Sequence, residues 1–166
     1  SFGTRDRLAL VFLEVIRPLD PMRLVVNTDA GSVLPLPFTA IGLAYLVAAP
    51  VKERAQILQE LRRRHADELD RMRASIERAH EEYTHQGFVI AQRSWGRGIS
   101  GVGVPLRLKA PHNALYAFHC AGPPNLLSAA YIKEVGPKLV TMIAEIAYAM
   151  ENAPRVALKP LSTHDP

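Results

Sequence analysis

At 166 residues the chain fits one domain, long enough to bury about 70% of its unfolded surface. Hydrophobic residues are 48% and charged residues 22%, ordinary for a globular protein, and no apolar run reaches the ~18–20 residues of a membrane span. The net charge of +4 raises nucleic acid as a partner, yet Lys52 to Glu81, the richest charge segment, holds eight basic and seven acidic side chains and reads as solvated helix faces.

The single cysteine, Cys120, excludes an internal disulfide framework and fits a reducing cytoplasm. The opening SFGTRDR carries no signal-peptide pattern. Residues 8–16 follow at once as a strand, with Val11, Phe12, Val15 and Ile16 suited to a pleated surface. This abrupt start suggests a fragment from which earlier elements are missing.

Pro18, Asp20 and Pro21 predict a turn, Arg23 to Asn27 a second strand, and Asp29 to Ser32 another turn. Pro35 and Pro37 keep the backbone extended as far as Phe38. Thr39 then offers an N-cap oxygen to a short apolar helix, Ala40 to Ala49, which Pro50 ends. Helices are predicted over 51–64 and 67–86, broken near His65-Ala66-Asp67. In the second, Leu69, Met72, Ile76, Ala79 and Tyr83 form a packing stripe, and Gly87 is placed to cap its end.

Phe88 to Gln92 and Ile99 to Leu108 read as strands, with Trp95 to Gly98 a loop between them. A turn at Lys109 to Asn113 leads to a strand over Leu115 to Ala121. A turn at Gly122 to Asn125 precedes an apolar-rich helix from Tyr131 to Met150. The domain is expected to span 1–152, leaving 153–166 as a loose, Pro-rich tail. Paired strands interrupted by a run of helices favour an α+β layer fold with an antiparallel sheet over a doubly wound parallel one.

Chemistry has few handles. In the strand 115–121 alternation puts Leu115, Ala117, His119 and Ala121 on one face and Tyr116, Phe118 and Cys120 on the other. Alternation therefore weakens a catalytic dyad built from neighbouring His119 and Cys120, and Cys120 reads as a small hydrophobe. His119 is either a hydrogen-bonded core histidine or the polar group in a pocket made roomy by Ala117 and Ala121. The six histidines show no metal-ligand spacing, and no residue set points to a catalytic site, a metal or a cofactor.

The run GRGISGVGV at 96–104 lacks both the dinucleotide and the phosphate-loop patterns. Its glycines mark either a bulge or close approach of a ligand to the backbone. Trp95 would lid an apolar ligand, or sit at the surface or in a dimer contact. Arg93 and Arg97 flank it as candidate carboxylate clamps. The helix start at Phe38-Thr39-Ala40-Ile41-Gly42 presents backbone N–H groups in greasy surroundings, which suits an acid with an apolar or aromatic body.

Three segments together carry a resemblance: LPLPFTAIGLAYLVAAP at 34–50, QGFVIAQRSWGRGISGVGVPL at 86–106, and AFHCAGPP at 117–124. In order and spacing they resemble the effector-binding domain of IclR-family bacterial transcriptional regulators, over roughly residues 4–151. The resemblance implies a GAF-like fold, with helices on one face of a curved antiparallel sheet and an effector cavity on the other. It implies the sensing part of a longer regulator that forms dimers or tetramers. DNA would be bound only through a winged helix-turn-helix outside this chain.

The carried-over pocket comprises Phe38, Thr39, Ala40, Ile41, Gly42, Ala91, Trp95, Ser100, Gly101, His119 and Ala121. Against the family pattern, Leu43 stands at the helix lysine and Ala91 at an acidic position. Gly101 replaces the cysteine of the glyoxylate- and pyruvate-sensing branch, and His119 and Ala121 replace two serines. The polar set suited to a tiny keto acid is mostly gone. His119, Thr39 and Ser100 remain as hydrogen bonders, which implies a bulkier effector such as an aromatic acid. A ligand-free assembly module and a small hydrolase are the competing expectations.

Overall fold

The computed structural model describes residues 1–17, 28–95, 98–109 and 113–153. The predicted strand Arg23–Asn27, the turn at 18–21, Gly96, Arg97, most of the turn at 109–113 and the tail beyond 153 lie outside the described residues. So do the side chains of Arg93, Ser94 and Trp95.

The chain opens on a hairpin of β1 (Phe2–Asp6) and β2 (Ala9–Glu14). Asp6 pairs with Ala9 across a tight turn in which Arg7 takes a positive φ of 53°. Of the two strands, β2 is legible in the sequence and β1 is not. The turn carries no Gly, Asn or Pro to mark it, because arginine occupies the left-handed position that those residues usually hold.

The short β3 (Val33–Pro35) pairs with β2, and a single 3-10 turn over Leu36–Phe38 leads into α1 (Ala40–Ala48). Thr39 caps α1 as predicted, its hydroxyl accepting from the Gly42 amide at 3.2 Å and donating to the Pro35 carbonyl at 2.8 Å. α1 is buried all round, as its nearly unbroken apolar sequence requires.

α2 (Val51–Arg64) and α3 (Leu69–Gln86) follow, separated by a 3-10 turn at Ala66–Glu68. Gly87 ends α3 in the left-handed conformation, φ 80°. β4 (Val89–Trp95), β5 (Ile99–Arg107) and β6 (Leu115–Gly122) form a meander, and α4 (Ala129–Asn152), capped by the Ser128 hydroxyl, completes the described fold. Trp95 is the last residue of β4, paired with Ile99, and not part of the predicted loop.

All strand pairs are antiparallel, in the order β3-β2-β1-β6-β5-β4. The α+β expectation holds: a curved antiparallel sheet with packed helices. The expectation of helices on one face only does not. Gly101, Gly103 and Ala117 lie against α1, whereas Val102, Val104 and Leu106 pack with Ile132, Leu139 and Ile143 of α4. The cause is in β5 itself, where glycines and bulky apolar residues alternate. One face admits a helix backbone and the other supplies side chains for a second helix to cover.

Candidate functional site

Several residues expected to line a site lie near the N-terminal end of α1, where the helix crosses β5 and β6. A Cβ at Gly103 would stand 2.2 Å from the Ala40 carbonyl oxygen, and one at Gly101 would stand 3.0 Å from the Ala40 Cβ. These glycines let the helix settle on the sheet, so α1 occupies the space expected for a bulge or a ligand. Gly42 plays the matching part beneath α1, where a Cβ would meet the backbone of Leu36 at 2.4–2.8 Å.

Antiparallel register sets His119 opposite Gly103, and Ala121 and Ala91 opposite Gly101, so all three lie on the α1 face. His119 is half-buried, and Ala121 is exposed at the rim. The imidazole lies against the Phe12 ring, 5.2 Å between centroids at 31°. Burial pushes the His119 pKa down to about 3, so the ring is neutral at physiological pH. A neutral imidazole offers one donor and one acceptor. Sequence reasoning missed Phe12 as the ring beside His119. The alternation Leu10, Phe12 in β2 marks it as inward-facing, but only the β1–β6 pairing carries β2 to this side of the site.

Other candidates are committed elsewhere. Thr39 is buried and its hydroxyl is held by the α1 cap. Ile41 is fully buried in the core. The Phe38 ring lies under the Arg71 guanidinium of α3, 4.6 Å from its centroid. Ser100 is buried on the opposite face of β5 from Gly101, together with Val102. Cys120 packs on the α4 face, where burial raises its thiol pKa, and alternation keeps it from His119.

A second polar assembly sits behind the site. Glu53 of α2 accepts from Arg5 Nε at 2.8 Å and from the Tyr45 hydroxyl at 2.7 Å, joining β1, α1 and α2. Among the described residues no group of three or more His, Cys, Asp or Glu side chains could hold a metal, and no helix is long and apolar enough to cross a membrane.

One antiparallel sheet with helices on both faces, and a helix start laid over small residues of its central strands, defines an α+β domain. The chain is 44% identical over 154 residues to the HTH-type transcriptional regulator TsaQ1/TsaQ2 of Comamonas testosteroni, covering 92% of this chain and 55% of that protein. It matches the crystal structure of an IclR-family transcriptional regulator from Brucella abortus with TM-score 0.80 and 30% identity, over 89% of this chain and 55% of that one. The repressor BlcR of Agrobacterium tumefaciens shares the fold at TM-score 0.69 and 17% identity, over 92% of this chain and 60% of that one. No family model matches the chain. The chain belongs to the IclR family of transcriptional regulators, in which it corresponds to an effector-binding domain. It spans about half the length of the relatives it matches.

Proposed function

We propose that this chain is the effector-sensing and oligomerisation part of a cytoplasmic transcriptional regulator, and that its effector is an aromatic or otherwise bulky organic acid. The observation that carries the ligand reading is the neutral, half-buried His119 beside Phe12, on the face crossed by the N-terminal end of α1. An aromatic body would stack on Phe12 and its polar group would meet His119. Ala121 is exposed beside it. Ala91 keeps the adjoining wall small. Ala40, at the start of α1, completes the proposed lining.

The chain would work as a homodimer or tetramer, with DNA contacted only by a helix-turn-helix outside it. Effector binding would then shift the population between arrangements of the assembly and so change the spacing of the DNA-binding modules. No catalytic residue is needed.

A thermal-shift screen of aromatic acids against short keto acids tests this. An effector at 100 times its dissociation constant adds about 2.7 kcal/mol of stability. The expected result is stabilisation by an aromatic acid that is lost in His119→Ala. Tight binding of glyoxylate or pyruvate without aromatics overturns the ligand class. A flat response across both classes favours a ligand-free assembly module.

A further inference from the structure

At the opposite end of α1 the described residues form an open groove of about 650 Å³, lined by Val47 to Val51, Arg54, His80, Tyr83, Pro105 and Arg107. It exists because β5 outruns its neighbour. β4 begins at Val89, paired with Gly103, so Pro105 and Arg107 lie beyond the β4 ladder, and the ends of α1 and α3 and the start of α2 close around them.

The charge of the groove follows from its lining. Arg54 donates to the Val47 carbonyl at 3.4 Å, and Arg107 donates to the Ala48 carbonyl. Both carbonyls belong to the last turn of α1, where helix hydrogen bonding leaves acceptors unpaired. A helix C-terminus carries roughly half a negative charge, whereas two guanidiniums bring two full positive ones. No lining residue is acidic. Glu53, beside Arg54 in sequence, is turned away to Arg5 and Tyr45. The groove is therefore net positive, with each arginine using one of its five N–H donors on α1. Its other walls are apolar or aromatic: Val47, Val51, Pro105 and the Tyr83 ring.

We infer that this groove is a second ligand site, for a small organic carboxylate with an apolar body. The carboxylate pairs with Arg54 and Arg107, and the body rests on Val51, Pro105 and Tyr83. The site stands apart from His119 and does not depend on the effector reading. A ligand held there touches α1, α2, α3 and β5 together, and so braces the helix whose other end crosses the His119 region.

Benzoate, with benzamide as its uncharged counterpart, tests the inference by amide NMR titration of the 166-residue chain. Benzoate should shift the amides of Ala48, Ala49, Val51 and Arg107 with a millimolar dissociation constant, and benzamide should not. Val51→Glu changes a side chain that is 76% exposed, so the core is untouched while a carboxylate enters the mouth of the groove. It should weaken benzoate about tenfold, equivalent to about 1.4 kcal/mol. Arg107→Gln should do at least as much, whereas His119→Ala should leave these shifts in place. Equal response to benzamide, shifts confined to the His119 region, or undiminished affinity in Val51→Glu would each overturn the inference.

Discussion

The two faces of the sheet are covered by helices in opposite ways. On the α4 face, large side chains interlock: Phe88, Val102, Val104 and Leu106 with Ile132, Leu139 and Ile143. On the α1 face, helix backbone meets strand backbone at Gly103 and the Ala40 methyl rests on Gly101, and polar groups fasten the helix, with Thr39 at its start and Arg54 and Arg107 at its end. The α4 face draws its stability from buried volume. The α1 face adds close backbone fit and placed hydrogen bonds to a larger buried apolar cluster of its own, and both candidate ligand sites lie at the ends of that closely fitted helix. A helix positioned this tightly gives a ligand at either end something rigid to act against.

The largest effect should come from removing volume on the α4 face. The Phe88 ring is 4% exposed and fills the place where a Gly136 side chain would otherwise go. Phe88→Ala should cost about 4 kcal/mol, read as a fall in the urea midpoint with the slope unchanged. A loss below about 1 kcal/mol would mean that side-chain packing does not hold α4.

On the α1 face the opposite change should hurt. Gly103→Ala adds one methyl group, yet places it against the Ala40 carbonyl oxygen at 2.2 Å, so helix and strand must part. The expected cost is about 3 kcal/mol, together with weakened effector stabilisation, since Ala40 moves with the helix. A neutral Gly103→Ala would break the contrast between the faces.

The smallest effect is a pH slope. The folded-state pKa of His119 lies near 3, below the ordinary 6.5. Between these values the unfolded chain holds more protons, so stability rises with pH and is lost as pH falls from 6.5 toward 3. In His119→Phe that loss should be shallower, seen by comparing urea midpoints at pH 7 and pH 5. Parallel slopes in the two proteins would mean that the folded state accepts the imidazolium without penalty.

Much of the fold was legible because local rules set it. The Thr39 cap, the end of α1 at Pro50, the break near residue 66 and the Gly87 cap follow from single residues with strong conformational preferences. The antiparallel sheet followed from the hairpin spacing, and the opposed directions of His119 and Cys120 from strand alternation. β1 and β3 were missed: β1 sits behind a turn made by arginine, and β3 is only three residues long.

The candidate site was legible in part. His119, Ala91, Gly101 and Ala121 share the α1 face, as strand register requires, but Ser100 lies on the other face and Thr39 is occupied by its cap. The groove at the far end of α1 had no signal at all. Arg54, His80 and Arg107 lie far apart in sequence and carry no shared motif.

By itself, then, the sequence determined where helices begin and end and which residues alternate across a strand, because those depend on φ preferences and periodicity within a few residues. The tertiary structure decided that helices cover both faces, that the glycines of β5 admit α1, that Phe12 meets His119, and that two arginines converge on one helix end. These depend on which strand lies beside which and on where one strand outruns its neighbour, and no local preference encodes that.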